Sequence, residues 1–90
     1  MENSNDLTAA LPLPHLLITG GCGKIGATFA RFAAPTYTIR IVDRVPWDAA
    51  WLGPPPGESL VLDLQDLAAC RHACADMDFV LHLAADASPE

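Results

Sequence analysis

Short apolar runs alternate with amphipathic stretches along most of this chain. Helical spacing of apolar residues predicts one helix at 24–33 and another from about 66 to 75. Runs rich in leucine, isoleucine and valine predict buried strands at 16–19, 37–43, 60–63 and 79–83. The expected fold is therefore a doubly wound α/β fold of the Rossmann type, or its first half, with a parallel sheet in strand order 3-2-1-4.

The apolar residues of the first predicted helix recur on one face. Ile25, Phe29 and Phe32 share that face, which is expected to cover the sheet, and Pro35 marks the end of the helix. Asp66 is the expected N-cap of the second helix.

A glycine-rich turn joins the first strand to the first helix, with the sequence Thr19-Gly20-Gly21-Cys22-Gly23-Lys24-Ile25-Gly26. Gly20 permits the tight turn, Gly23 lets the backbone approach a phosphate with no Cβ in the way, and Gly26 lets the helix lie near the sheet. The helix N-terminus then offers unpaired N–H groups and the positive end of its dipole, to which Lys24 adds a charge. The turn therefore predicts a pyrophosphate site, as in dinucleotide binding.

A nucleoside triphosphate loop of the type GxxxxGK[ST] is excluded. It would require a glycine at position 18 and a hydroxyl residue after Lys24, where the chain has Ile18 and Ile25.

An acidic residue, Asp43, ends the second predicted strand. A carboxylate at this position accepts hydrogen bonds from the adenosine ribose hydroxyls and repels a 2′-phosphate, which favours NAD over NADP. Arg44 follows directly, and a basic residue there can hold that phosphate. NADP therefore stays open as the less favoured cofactor.

Composition limits the alternatives. Ninety residues allow one small domain, and the 51% hydrophobic content is typical of a globular protein. The formal charge of -6 argues against a nucleic-acid partner, and the apolar stretches are too short for a membrane span. The N-terminus has no basic region of a secretory signal. We therefore expect a cytoplasmic protein with a flexible leader at 1–13 and a dinucleotide-binding half-domain at 14–90.

The three cysteines are Cys22, Cys70 and Cys74, and their odd number without a secretory context argues against a disulfide framework. Cys70 and Cys74, with His72 between them, can be imagined as metal ligands. Because they recur with Leu67 at helical spacing, one buried helix face is favoured, and no metal site is predicted. Cys22 lies in the turn, where a helix N-terminus can lower a thiol pKa, although a small residue that merely fits the turn is favoured.

The segment 44–57 is rich in proline and has room for a single helical turn at 47–52. In this topology it borders the adenine side of a dinucleotide. Trp47 or Trp51 can therefore stack near the base, but covering the sheet edge is the favoured interpretation.

Four motifs stand in an order that resembles a known family: the glycine turn, Ile41-Val42-Asp43-Arg44, Asp63-Leu64 and His82-Leu83-Ala84-Ala85. They look like the extended short-chain dehydrogenase/reductase family, the NAD-dependent epimerase/dehydratase group. The run from Asp78 to Glu90 is similar to uronate dehydrogenases and related sugar oxidoreductases. The resemblance implies that Asp63 meets the adenine amino group and that Ala84 and Ala85 line the cofactor. From the residues alone, Asp63 can equally be a helix cap and His82 a hydrogen-bonded strand histidine.

The predicted cofactor-binding residues are Gly20, Gly23, Lys24, Ile25, Gly26, Asp43, Arg44, Asp63, Leu64, Leu83, Ala84 and Ala85. No catalytic residue is predicted. The family's chemistry uses a tyrosine and a lysine four residues apart, whereas Tyr37 and Lys24 are the tyrosine and lysine of this chain.

The function expected from these features is that of the NAD(P)-binding N-terminal part of a sugar or sugar-acid oxidoreductase, truncated before the catalytic half. A nucleotide-sugar epimerase or dehydratase of the same family is the nearest alternative. A non-catalytic NAD-binding module, or an inactive truncated product, is a further one. A sugar or sugar-acid substrate is expected only in a full-length parent, and the open sheet edge leaves the chain prone to self-association.

Overall fold

The computed structural model describes residues 12–84, which form one parallel sheet with helices against it. The strand order is β3-β2-β1-β4, and all three neighbouring pairs run parallel. The strands are β1 at His15–Thr19, β2 at Thr38–Asp43, β3 at Glu58–Val61 and β4 at Phe79–His82. This arrangement confirms the predicted first half of a Rossmann-type fold. The expected leader falls largely on residues 1–11, outside the described residues.

Three helices connect the strands: α1 at Lys24–Ala33, α2 at Ala49–Leu52 and α3 at Leu67–Cys74. The expected cap of α3 is confirmed, because the Asp66 side chain accepts from the N–H of Ala68. Asp48 caps the short α2 in the same way. No helix in the range 12–84 is both long and apolar enough to cross a membrane.

The core has one half on each face of the sheet. Leu16 and Ile18 of β1 pack with Ala30 and Ala33 of α1, whereas Leu17 points to the opposite face and joins a second cluster. Alternate residues of a strand point to opposite faces, so β1 contributes to both halves. Its central place in the sheet follows from this two-sided burial.

The expected apolar face of α1 is wrong. Ile25 and Phe32 are 80% and 79% exposed, and the Phe29 and Phe32 rings lie near each other with centroids 6.3 Å apart. The residues that α1 buries are Gly26, Ala27, Ala30 and Ala33. Both sets of residues recur with helical spacing, but only the set of small residues lets the helix axis approach the sheet closely.

The expected buried face of α3 is also wrong. Leu67 is 63% exposed and Cys74 is exposed, whereas Ala73 is fully buried. Cys70 is half-buried, and its Sγ donates to the carbonyl of Leu64 at 2.9 Å. Here too, a small residue makes the close contact with the sheet.

The third strand begins earlier than its apolar run predicts. Glu58 pairs with Arg40 of β2, and the two side chains form an ion pair with Nε and Oε1 2.8 Å apart. Leu62 and Asp63 follow the strand instead of forming its end. This shift places Asp63 in the loop at the carboxyl end of the sheet.

Candidate functional site

The glycine turn begins directly after β1. Gly20 has φ +71°, and its N–H donates to the carbonyl of Val42 at 2.8 Å. A Cβ on Gly20 would lie 2.8 Å from the backbone nitrogen of Ala84. Glycine is therefore required at position 20 for two reasons: the left-handed backbone conformation and the close passage of the chain after β4.

Two more glycines pack against neighbouring atoms. A Cβ on Gly26 would lie 2.7 Å from both the Gly20 carbonyl oxygen and the Gly21 Cα, so α1 can start directly on the turn. A Cβ on Gly21 would lie 2.5 Å from Cγ2 of Ile41. No role was predicted for Gly21, although the doubled glycine is visible in the sequence.

Gly23 differs from these three glycines. Its φ is −78°, an ordinary value, and the nearest atom a Cβ would meet is the Gly20 carbonyl oxygen at 3.7 Å. The fold therefore does not demand glycine at this position. The space that a side chain would fill is open, and it lies at the start of α1.

The N-terminus of α1 is suited to an anion. Gly23 is the N-cap residue, no side chain caps the helix, and its first turn carries no acidic residue. Lys24 and Ile25 are exposed there. Backbone N–H groups and the helix dipole at such a terminus favour a phosphate. The open space at Gly23 and this terminus together fit the pyrophosphate of a dinucleotide.

Asp43 is fixed at the end of β2. Its Oδ2 accepts from the N–H of Cys22 at 3.1 Å, and its Oδ1 accepts from the N–H groups of Arg44 at 2.7 Å and Val45 at 3.4 Å. Each carboxylate oxygen can accept about two hydrogen bonds. Oδ2 therefore retains capacity for a further donor.

A cavity of about 440 Å³ lies at the carboxyl ends of the strands. In an open parallel sheet, this is where ligands bind. Its lining brings together most of the predicted residues: Gly20, Asp43, Arg44, Asp63, Leu64, Leu83 and Ala84, with Val42, Leu62, Gln65 and His82 beside them. Lys24, Ile25 and Gly26 are at the start of α1 instead, and the predicted residue Ala85 lies outside the described residues.

The sequence model of the NAD dependent epimerase/dehydratase family matches residues 16–90. The chain belongs to this family. The recognition made from the four motifs is thereby confirmed.

Solved structures of the family and its neighbours share the fold. Uronate dehydrogenase from Agrobacterium tumefaciens is 28% identical with a TM-score of 0.73, over 89% of this chain and 29% of that one. A short-chain dehydrogenase/reductase superfamily protein from the same organism, with bound NAD, is 32% identical with a TM-score of 0.64, over 82% and 21%. UDP-N-acetylglucosamine 4-epimerase from Methanobrevibacter ruminantium M1, in complex with UDP-N-acetylmuramic acid, is 28% identical with a TM-score of 0.69, over 87% and 26%.

This family member thus spans less than a third of the length of those solved structures. No curated protein sequence matches it significantly.

Two further residues of the family's motifs meet beside the cavity. The Oγ1 of Thr19, which is almost fully buried, lies 2.7 Å from Nδ1 of His82. The same oxygen accepts from the N–H groups of Leu83 at 3.0 Å and Ala84 at 3.2 Å. Of the interpretations of His82, the hydrogen-bonded strand histidine is confirmed. The role of Thr19 was missed, because the predicted strand order places β4 beside β1 but does not give the register that pairs Thr19 with His82.

Asp63 does not cap a helix, since Asp66 is the cap of α3. The Asp63 side chain accepts from the N–H of Gln65 at 2.9 Å, which stabilises the turn after β3. The carboxylate remains exposed at the cavity.

The thiol of Cys22 is only 7% exposed. Burial and the nearby Asp43 charge raise the pKa of Cys22 above its ordinary value of 9.0, although a hydrogen bond with Ser59 opposes them. This raised pKa argues against an activated thiol at the helix N-terminus. It supports the interpretation of Cys22 as a small residue that fits the turn.

The tryptophans lie away from the cavity lining. Trp47 packs against the core cluster on the α1 face, and its Nε1 donates to the Gly53 carbonyl at 2.7 Å. Trp51 is exposed. Among residues 12–84, no cluster of three or more histidine, cysteine or acidic side chains is arranged to hold a metal ion.

Proposed function

We propose that this chain is the NAD-binding N-terminal part of a sugar or sugar-acid oxidoreductase of the extended short-chain dehydrogenase type. The observation that carries the proposal is the open space at Gly23. The fold tolerates a side chain there, so a glycine at the start of an uncapped helix is best explained by a ligand that needs the room.

The proposed cofactor contacts run from the glycine turn to the cavity. The pyrophosphate is bound by the backbone N–H groups of Lys24 and Ile25, with Gly20 and Gly26 shaping the turn. Asp43 accepts from the ribose hydroxyls through the free capacity of Oδ2. At the adenine side, the residues proposed to contact the base or the adjoining ribose are Asp63, Leu64, Leu83 and Ala84, together with Ala85 beyond the described range.

A preference for NAD over NADP is part of the proposal. The Asp43 carboxylate would repel a 2′-phosphate at the position where it accepts from the ribose. Arg44 is exposed beside it and is the residue that could reverse the preference.

Among residues 12–84, the chain's own side chains and backbone bind and orient the cofactor, and no tyrosine or lysine lines the cavity to exchange a proton with a substrate. Tyr37 lies just before β2, at the opposite end of the strands from the cavity, with its ring edge-on to Phe79. When bound, NAD supplies hydride transfer at its nicotinamide ring. Proton transfer is therefore assigned to residues of a full-length parent.

The substrate class rests on the similarity to uronate dehydrogenase. A nucleotide-sugar epimerase is the second candidate, because UDP-N-acetylglucosamine 4-epimerase has the same 28% identity to this chain. A non-catalytic NAD-binding module is compatible with the same cofactor contacts.

The test of cofactor binding is a titration of NADH fluorescence with the 90-residue chain and its Gly23→Val variant. The variant should keep the circular dichroism spectrum and melting temperature of the wild type but lose NADH binding. Thr28→Val places the same side chain on an exposed position of α1 and should bind normally. Gly21→Ala, which would collide with Ile41, should instead destabilise the fold by about 1 to 3 kcal/mol. Unchanged NADH affinity in Gly23→Val would contradict the proposal.

A further inference from the structure

The hydroxyl of Thr19 has three polar neighbours within hydrogen-bond distance. Residues 19 and 82 pair directly across β1 and β4, and Oγ1 of Thr19 lies 2.7 Å from Nδ1 of His82. The other two neighbours are the backbone nitrogens of Leu83 and Ala84. Thr19 is 3% exposed, so water has little access to its hydroxyl.

The direction of each hydrogen bond follows from counting donors and acceptors. A hydroxyl oxygen can accept about two hydrogen bonds and donate one. The N–H groups of Leu83 and Ala84 can only donate, and both face this oxygen, although the Leu83 N–H is shared with the Thr19 backbone carbonyl, which is also 3.0 Å away. They occupy its acceptor places. The hydroxyl hydrogen is left for Nδ1 of His82, which must therefore accept.

This direction fixes the tautomer of the ring. A neutral imidazole whose Nδ1 accepts carries its proton on Nε2. A proton on Nδ1 would bring a third donor to the same oxygen and leave the hydroxyl hydrogen without this partner. The hydrogen-bond pattern at Thr19 is therefore satisfied by one form of His82, the neutral form with Nε2–H.

The same Thr19 hydroxyl fixes the backbone segment that forms one wall of the cavity. Leu83 and Ala84 line the cavity, and a Cβ on Gly20 would lie 2.8 Å from the Ala84 nitrogen. The chain after β4 thus passes so close to the glycine turn that no Cβ fits between them. Rotation of the Thr19 hydroxyl away from His82 would weaken the hydrogen bond from the Ala84 N–H, whereas the Leu83 N–H would keep the Thr19 backbone carbonyl as its acceptor.

We propose that His82, as the neutral Nε2–H tautomer, is a positioning residue of the dinucleotide site. It holds the Thr19 hydroxyl in the orientation that fixes Leu83 and Ala84 beside Gly20. This inference rests on the proposed function for its effect on binding, but the tautomer and the fixed backbone stand on the described contacts alone.

The tautomer is measured by ¹⁵N NMR of the 90-residue chain labelled at histidine. Near pH 8 the spectrum should show His82 protonated at Nε2 and unprotonated at Nδ1. A spectrum with the proton on Nδ1 would overturn the inference.

The positioning role is tested with paired variants of His82, which is exposed and so replaceable without a large loss of stability. His82→Asn keeps an acceptor at the place of Nδ1, whereas His82→Gln moves its amide toward the place of Nε2. We expect NADH affinity near that of the wild type for His82→Asn and roughly three- to tenfold weaker for His82→Gln, the effect of one lost hydrogen bond. The amide hydrogen of Ala84 should exchange faster in His82→Gln only. Equal behaviour of the two variants would show that the acceptor does not matter.

Failure of the proposed function gives a different result. A wild type that binds no NADH at any pH would refute dinucleotide binding and, with it, the binding half of this inference. The ¹⁵N spectrum and the Ala84 exchange rates would still decide whether His82 fixes the end of β4.

Discussion

The backbone N–H of Cys22 donates a hydrogen bond to Oδ2 of Asp43 at 3.1 Å. One carboxylate thus joins the glycine turn to the end of β2. It fixes the turn from the strand side, while α1 fixes it from the helix side through Gly26. A change at Asp43 should therefore alter the geometry of the proposed phosphate site as well as the proposed ribose contact.

Asp43→Asn should weaken NAD binding and narrow the preference for NAD over NADP. The variant loses the negative charge, and the amide nitrogen that replaces one carboxylate oxygen cannot accept from the N–H group that it faces, either that of Cys22 or that of Arg44. Because a hydrogen bond to a charged group contributes about 1.5 to 3 kcal/mol, NAD affinity should fall roughly tenfold or more. Asp48→Asn removes the same charge from an exposed helix cap and should bind like the wild type. Titrations with NADH and NADPH measure both effects, and a wild type that prefers NADPH would count against Asp43 and direct attention to Arg44.

Arg40 should stabilise the fold mainly by closing the end of α3. Its Nη1 donates to the carbonyls of Ala73 at 2.8 Å and Ala75 at 2.9 Å, and its Nε pairs with Glu58. Arg40→Met should lower the free energy of unfolding by about 2 kcal/mol. Glu58→Gln should lower it by less than about 1 kcal/mol, since Glu58 is 52% exposed and such pairs contribute little. Urea titrations that give equal losses for the two variants would assign the stabilisation to the ion pair instead.

Cys22 should make stability fall at high pH. Burial raises the pKa of Cys22, so above about pH 9 the unfolded chain loses the thiol proton while the folded chain retains it. The contribution is fully present below that pH and is lost as the pH rises through the higher pKa of the folded state. Urea unfolding at pH 8 and pH 10 should therefore show a larger loss for the wild type than for Cys22→Ala. Iodoacetamide at pH 8 should also label the exposed Cys74 well before Cys22.

The β4 edge should drive self-association. Phe79 and Val80 are both more than half exposed there, whereas the β3 edge starts with the charged Glu58. Analytical ultracentrifugation of the 90-residue chain should show concentration-dependent association that Val80→Lys reduces more than Val61→Lys.

The chain should also show no NAD-dependent oxidation of uronates. A stable monomer with measurable turnover would contradict both expectations.

Features that depend on residue spacing along the chain could be predicted from the sequence. Strand order, the place of Asp43 at the end of β2 and the Asp66 cap all follow from local periodicity and chain topology, and the structure agrees with them. Which face of each helix is buried could not be predicted in the same way. In α1 the stripe with Phe32 and the stripe with Ala30 have the same period, and closeness to the sheet selected the smaller side chains.

Contacts between distant segments were also beyond the sequence. The Thr19–His82 pair and the packing of Gly21 on Ile41 depend on how separate strands align after folding. Similarly, the role of Gly23 was predicted from glycine spacing, but only the structure shows that the surrounding fold leaves the space beside it free.

The central place of β1 has a consequence for how the chain assembles. Its partner β2 is the next strand along the chain, whereas its partner β4 is distant, and the contact between Thr19 and His82 spans 63 positions. During synthesis β1 can pair with β2 early, but it stays open on its other side until β4 has emerged from the ribosome. Because such distant contacts form slowly, we expect the cavity wall at Leu83 and Ala84 to be the last part to acquire protection in pulsed hydrogen exchange.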